Sequence, residues 1–417
     1  MKRFLMILAA AAPVAWLAES CEVGTKTENT VSVNIEVVAA EGTAVPEGTV
    51  YDVTVTNYDT RSEQTVKTDE EGKVTVTGLV LGRYTVTAKA TVYEGAVSYI
   101  CSGTLSNVNL LEDGTTLTVP VSVATASQLV IKELYYGFSK NEAGKNYIDD
   151  QFYEIYNNSD ATVYVDGLCF GNLMPERATG KANYDWGMDT QKYAFFAIVM
   201  KVPGKVGDTN YPVEPGESIV LCKSAKNHQA ADANPLSPVD LSGGEFEYYH
   251  PENTKQVDED AVNLELAYFN KSRTQTAYKQ WSASLDGWAF AMFFPEENEF
   301  SAGQEASSVL SGATYYSYPV PVEQIIDAVE CVKDETQVAN KRVPTVLDAG
   351  SIWLTDENGE PATALGRSLV RKVSNTLEDG RVILQDTNNS TDDFECMKAE
   401  VRRYNAGIPS WNTWASR

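Results

Sequence analysis

The 417-residue sequence predicts an all-β protein of two β-sandwich domains behind a secretory signal peptide. Three observations carry that prediction. Runs such as Val31–Ala39 (VSVNIEVVA) and Lys73–Leu79 (KVTVTGL) alternate apolar and polar residues with the two-residue period of a half-buried strand. Gly, Asp, Asn and Pro punctuate these runs as turn residues. The chain also carries 22 Tyr beside abundant Thr and Val, a composition suited to pleated, half-covered surfaces.

The N-terminus supplies the address. Lys2 and Arg3 form a positive n-region, and Phe4–Leu17 is an apolar run of 14 residues interrupted by Pro13. Ala18–Ser20 make a mostly small approach to Cys21. A spanning helix needs about 20 apolar residues, so the segment reads as a signal peptide covering residues 1–20. Leu17-Ala18-Glu19-Ser20-Cys21 resembles a degenerate lipobox of the kind seen in Bacteroidetes lipoproteins, with Glu19 as its departure and Leu17 one place early. The resemblance implies cleavage before Cys21 and a diacylglyceryl group on its thiol. Ordinary cleavage would instead leave a free thiol and a soluble periplasmic chain. Residues 21–30 are then a lipidated cysteine and a polar tether without apolar periodicity.

Composition narrows the partners. With 58 acids against 33 bases and a pI near 4.5, the surface repels phosphate backbones, and nucleic acid is excluded as a partner. Beyond Cys21 five cysteines remain (Cys101, Cys169, Cys222, Cys331, Cys396), an odd number without metal-ligand spacing. They fit one or two disulfides, or buried thiols acting as small hydrophobes.

The first domain, 31–126, contains seven alternating runs, from Val31–Ala39 through Thr115–Ala124. Within it Asp69-Glu70-Glu71-Gly72 reads as a hairpin turn, Leu79 and Gly82 as the end of the next strand, and Tyr84 as a plug of the sandwich. This stretch resembles the signature of carboxypeptidase-regulatory-like, prealbumin-type domains. The resemblance implies a spacer or stalk, with carbohydrate binding the less common use.

The second domain, 127–417, opens with Leu129–Tyr136 (LVIKELYY), then Phe152–Ser159 and Val163–Leu168. With Val213–Leu221, Ile325–Val329 and Leu365–Arg371 in the same order, it resembles a lamin-tail-type, immunoglobulin-like sandwich. A loop-rich insertion of about 223–320 is its main departure: Lys223–Asp260 is rich in Asn, Asp, Pro and Gly, and Asp286–Phe294 returns to a buried strand. Long loops on a rigid scaffold commonly bind ligands, so this insertion is the first place to look for function. The whole chain resembles an uncharacterised lipoprotein family of the Bacteroidetes, a domain of unknown function.

No constellation for catalysis stands out. His228 and His250 are the only histidines, without a zinc-protease spacing. No G-x-S-x-G, P-loop or G-x-G-x-x-G occurs. Three acidic clusters, 258–260, 356–360 and 386–393, have oxygen donors that suit calcium but lack the calcium-loop spacing, and each also reads as a solvated turn. The sequence therefore predicts no catalytic residue, no metal and no cofactor. Trp411, Trp414, Tyr248 and Tyr249 sit in loop-like sequence and are the candidate binding residues, with Cys21 as the lipid attachment site. These readings predict a non-enzymatic, lipid-anchored outer-membrane protein, periplasmic or surface-exposed, presenting sandwich loops to an outer-membrane protein partner as an accessory of uptake. A glycan-binding surface lipoprotein and a hydrolase of unknown class are the alternatives.

Overall fold

In the computed structural model of the chain the alternating runs become strands, and their buried positions are the apolar ones. The structure describes residues 30–40, 43, 45–94, 97–125, 128–177, 184–270, 279–281, 283–284, 286–296, 300 and 304–415. The signal segment, Glu19, Cys21 and the tether to residue 29 lie outside the described residues. The chain divides into two compact units: one takes residues up to Ala90 with Ser102–Ser122, the other Thr91–Cys101 with Val123–Arg417. Both are all-β, as the alternation predicts. Among the described residues no helix is long and apolar enough to cross a membrane.

Seven strands build the first sheet: β1 (Thr30–Ala39), β2 (Asp52–Asn57), β3 (Glu63–Lys67), β4 (Lys73–Val80), β5 (Gly82–Glu94), β6 (Val97–Leu110) and β7 (Thr115–Thr125). Their order is β3-β2-β5-β6-β7-β1-β4, with β1 antiparallel to β4 and parallel to β7. Val33, Ile35, Val53, Val55, Val76 and Val86 are buried, the inward set of each alternating run. The Asp69 turn forms as its residues dictate. Its carboxylate accepts the backbone N–H groups of Glu71 and Lys73, and Gly72 adopts a φ of 77° with Val37 O where a Cβ would sit, 2.7 Å away. Tyr84 is buried and donates its hydroxyl to Val80 O at 2.6 Å.

The second unit follows with β8 (Leu129–Tyr135), β9 (Ser139–Lys140), β10 (Asn146–Tyr147), β11 (Phe152–Asn157), β12 (Val163–Tyr164), β13 (Cys169–Leu173) and β14 (Tyr193–Lys201). Next come β15 (Pro212–Val213), β16 (Ser218–Cys222), β17 (Phe246–Glu247), β18 (Val262–Asn263), β19 (Glu265–Phe269), β20 (Ala289–Phe293), β21 (Ala306–Leu310) and β22 (Ala313–Pro321). The last are β23 (Ile325–Glu330), β24 (Arg367–Arg371), β25 (Val373–Thr376), β26 (Val382–Leu384) and β27 (Phe394–Lys398), with one helical turn, α1 (Ser390–Asp393), before β27. Two larger sheets result, β18-β17-β16-β11-β8-β24-β27 and β21-β22-β14-β13-β20-β23, with β19 also pairing β14. Between them Ile131, Tyr153, Ile155, Ile219 and Leu221 of one sheet meet Phe170, Ile198, Met200, Phe290 and Met292 of the other in a single core. The region expected as a loop-rich insertion, 223–320, is strand-free over 223–245 and again over 248–261. It also supplies β17–β22, and β20 is an interior strand between β13 and β23.

The outer face of the β8 sheet is buried and charged. The register of β8 against β11 shifts between Glu154 and Ile155, so that Lys132 is the extra residue of a bulge. Ile131 and Leu134 consequently keep to the core while Lys132 and Glu133 both point away from it. Lys132 Nζ meets Glu154 Oε1 at 2.8 Å, and both side chains are sealed from solvent. Residues 399–415 run over this face. Arg402 bonds Ser218 O at 2.7 Å and Glu245 at 2.5 Å, and Arg403 meets Glu133 at 3.4 Å.

On β24, Arg371 is 1% exposed and tied from every side. Its guanidinium meets Asp327 of β23 at 2.5 Å, Asp386 at 3.2 Å and Asp393 at 3.7 Å, and donates to the carbonyls of Ile131 and Gln385. Burial, followed by the repulsion of Asp386, holds the Asp327 carboxyl up at about 7 against the pull of Arg371. Removing the cation strands three buried carboxylates, so Arg371→Ala is expected to destabilise the second unit by about 3–5 kcal/mol. Urea denaturation followed by tryptophan fluorescence reads this directly, because every tryptophan beyond the signal segment lies in that unit. Arg371→Lys should fall between, since a point ammonium cannot replace the fork.

Candidate functional site

A cleft of about 900 Å³ opens in the second unit where four separated stretches meet: 139–140, 229–238, 356–367 and Lys398. One wall is the strand-free segment that sequence reasoning singled out. Pro235-Leu236-Ser237-Pro238 lines it, and Leu236 stays 57% exposed. Opposing chemistry comes from the segment entering β24, where Leu365 is 53% exposed and Arg367 also lines the space.

Backbone strain collects beside these walls. Phe138 and Ala364 adopt φ of 44° and 59°, and Gly366 takes φ of 65° without strain. The two strained stretches are zipped together, Ala364 N to Gly137 O at 2.8 Å and Gly366 N to Phe138 O at 3.1 Å. A Cβ on Gly366 would lie 3.3 Å from Pro238 Cγ, so glycine allows the two walls to close at the base.

Beneath the cleft sits Asp150, fully buried. Its Oδ2 accepts the hydroxyls of Ser139 at 2.7 Å, Ser237 at 2.8 Å and Tyr135 at 3.1 Å, while Oδ1 has no hydrogen-bond partner among the described residues. Asn234 Nδ2 donates to Ser139 Oγ at 2.9 Å. One carboxylate thereby fastens the 234–237 wall to the 135–139 wall. Burial pushes Asp150 up to about 6 against the pull of those hydroxyls. Close by, His228 is buried with Nε2 donating to Ser224 O at 2.9 Å and Nδ1 accepting the Tyr147 hydroxyl at 2.8 Å. Burial lowers it to about 4, so it is a neutral structural imidazole.

The candidate residues named from sequence are dispersed. Tyr248 follows β17 as a loop residue, but it is 2% exposed within the main core, its N–H donating to Cys222 O at 3.0 Å, so its ring is not offered for stacking. Tyr249 is half-buried beside it. Trp411 and Trp414 are half-buried, and their indole N–H groups donate to Pro212 O at 2.9 Å and Gly244 O at 2.8 Å. Trp411 packs edge-on to Tyr211 with centroids 5.0 Å apart, so the C-terminal tryptophans close the sandwich. Cys21 lies outside the described residues.

In two of the three acidic clusters, carboxylates are engaged by the protein itself. Asp386 and Asp393 serve Arg371, and Asp393 also accepts from Thr387 and Asn389. Asp356 caps a turn by accepting from Asn358 N and Glu360 N, bonds that hold its carboxyl below the usual range. Among the described residues no group of three or more His, Cys, Asp or Glu could hold a metal ion. The five cysteines are free thiols: Cys101, Cys169, Cys222 and Cys331 buried, Cys396 half-buried. Asp150, Ser139, Leu365, Arg367 and Lys398 were missed from sequence because they come together only in space. The one local signal was the Asn-Pro-Leu-Ser-Pro run, 234–238, a proline-braced loop carrying an isolated leucine.

An all-β sandwich protein with a loop-built cleft is the class these features define. Residues 214–401 match a family described as a protein of unknown function, DUF4876. A DUF4876 family protein from Bacteroides thetaiotaomicron has a crystal structure 34% identical in sequence, aligned over 92% of this chain and 99% of its own with a TM-score of 0.63. The chain belongs to the DUF4876 family. A streptococcal ancillary pilin is 15% identical over 46% of this chain and 51% of its own at a TM-score of 0.17, too remote to carry an argument. No curated protein matches the chain. The matched segment 214–401 spans the whole of 223–320.

The two buried groups titrate in opposition. A carboxyl raised from 3.8 to about 6 stabilises the fold at low pH and loses that contribution as pH rises through about 6. An imidazole lowered from 6.5 to about 4 stabilises it above pH 6.5 and loses that contribution as pH falls through about 4. Each swing is roughly 3 kcal/mol at 1.36 kcal/mol per unit. Asp150→Asn is therefore expected to gain stability relative to the parent from pH 4 to 7, and His228→Gln to lose it, in urea titrations across that range. Parallel profiles for all three proteins would refute this protonation pattern.

Proposed function

We propose that this chain is a non-enzymatic, lipid-anchored protein of the cell envelope that presents the cleft of its second unit to a partner, as an accessory of an outer-membrane uptake system. The cleft carries the reading: long loops braced by Asp150 on a rigid sandwich are the usual way a β-scaffold offers a binding surface. Its exposed side chains, two leucines and several hydrogen-bonding groups, suit recognition. The lipobox-like segment ending at Cys21 supports the anchor, and the prealbumin-type signature around Asp69–Tyr84 supports a spacer role for the first unit. The lamin-tail-like order of motifs in the second unit supports an immunoglobulin-like presentation of loops.

Two measurements test this together. Metabolic palmitate labelling and membrane fractionation should both be lost in Cys21→Ala. A photo-crosslinking residue at position 365 should give a discrete adduct in cells that the same residue at Val309, 72% exposed elsewhere on the unit, does not give. Unchanged fractionation of Cys21→Ala removes the anchor, and identical adducts at both positions remove the cleft.

One observation favours glycan binding as a second reading. A smaller pocket of about 330 Å³ is lined by Tyr193, Phe293 and Tyr318, three prolines and the amides of Gln304 and Gln324. Tyr318 is pinned against Phe300, centroids 4.8 Å apart, and donates to Gln304 Oε1 at 2.7 Å, so ring and amide are set before any sugar arrives. Retardation in neutral polysaccharide gels that disappears in Tyr193→Ala/Tyr318→Ala supports this use; migration alike in every gel rejects it.

A further inference from the structure

The large cleft inverts the charge of the chain that holds it. Acids outnumber bases 58 to 33 over the whole sequence, yet the cleft is lined by Lys140, Arg367 and Lys398 against Asp356 and Glu357. Asp356 accepts from Asn358 N at 2.8 Å and Glu360 N at 3.0 Å, bonds that favour its ionised form, so the lining sets three basic side chains against two acidic ones. Arg367 is held in place by its bond to Cys396 O at 2.7 Å, which orients the fork, and its charge reaches Asp356. The lining therefore keeps a small excess of positive charge within an otherwise repelling surface, which suits an anion.

Anionic character alone fits several ligands, and the rest of the lining narrows the choice. No aromatic ring is among the lining residues, so a flat platform for a sugar is missing. In its place stand Leu236 and Leu365, each more than half exposed, beside the cations. Branched aliphatic side chains left open next to positive charge match a ligand with its own aliphatic side chain close to carboxylates.

We propose that the cleft binds an acidic peptide segment of a partner protein, its carboxylates received by Lys140, Arg367 and Lys398 and an aliphatic side chain packed on Leu236 and Leu365. This rests on the reading of the cleft as the partner site and adds the chemistry of what enters it. Desolvating the two leucines supplies the favourable apolar burial, and the three cations select for acid. The strained, hydrogen-bonded walls are already in place, which lowers the entropy lost on binding.

The test pans a phage-displayed library of random dodecapeptides on the mature full-length chain, on Lys140→Glu/Lys398→Glu and on Leu236→Ser/Leu365→Ser. Both variants change exposed side chains, and unchanged tryptophan fluorescence and melting confirm folding. Enrichment of Asp- and Glu-rich peptides carrying Leu, Ile, Val or Met is expected. A synthetic lead should bind the charge-reversed variant at least about tenfold more weakly. Binding should also weaken with added salt. Enriched peptides that are neutral or basic but still need the leucines overturn the ligand class and leave the cleft reading standing. Oligogalacturonate binding at the lysines without any peptide does the same in favour of an anionic glycan. No ligand whose binding depends on either pair of substitutions overturns the inference and the cleft reading together.

Discussion

Arg371 has no path to water, and the second unit is arranged around that fact. Its guanidinium is shared among Asp327 of the facing sheet, Asp386 and Asp393 of the segment before β27, and the carbonyl of Ile131 on β8. Asp327 Oδ2 also accepts Ile131 N at 2.7 Å, so β8 and β23 are joined where the two sheets would otherwise splay. The ring of Phe394 covers the guanidinium, 4.6 Å from its carbon, and completes the seal. A buried ion cluster is weak evidence for net stability, because desolvation offsets most of the attraction. Its value here is positional: Arg371 on β24 and Asp327 on β23 both bond the main chain of Ile131, which ties β8, β23 and β24 at one point.

The same logic extends across the outer face of the β8 sheet. The bulge at Lys132 sends two consecutive charged residues to one side, and the C-terminal segment covers them with Arg402 and Arg403. Glu154 receives Lys132, Ser218 and Arg402 N together. Glu245 takes Val220 N, Arg402 and Asn412. A polar layer of this kind tolerates no half-satisfied member, so residues 399–415 are as much a part of the fold as any strand. Trp411 and Trp414 belong to that cover, which explains why aromatics in apparently loose terminal sequence end up donating into backbone carbonyls.

Much of the strand structure was legible in the sequence, because period-two alternation with Gly, Asn and Asp turns is a local signal. The runs from Val31 to Ala124, the Asp69–Gly72 turn and the buried Asp286–Phe294 stretch all form as their residues dictate. Non-local burial was not legible. LVIKELY carries two consecutive charges, and nothing near it in sequence announces the distant segment that covers them. Cluster 386–393 has oxygens that suit calcium and also reads as a solvated turn, and the cation it meets is a side chain 15 residues before Asp386, Arg371. The burial of Tyr248 was hidden for a related reason: it sits in loop-forming sequence just after the two-residue strand β17, and its ring packs into the core.

The cleft lay furthest from view, since its walls are drawn from positions 139 to 398 and joined through Asp150, a residue with no local motif. Its geometry nevertheless follows from the fold. The 223–245 segment must return to β17 after leaving β16, and it does so by leaning on the stretch that enters β24. Close approach there demands left-handed backbone at Ala364 and Gly366, and Phe138 answers with its own. Strain of this kind persists only where surrounding bonds over-determine it, here the paired backbone bonds to Gly137 and Phe138 and the three hydroxyls on Asp150. A loop held this firmly leaves Leu236 and Leu365 exposed at fixed positions, where neither can retreat into the core. Apolar groups immobilised in water beside three cations raise the free energy of the empty cleft, and a ligand that covers both relieves it.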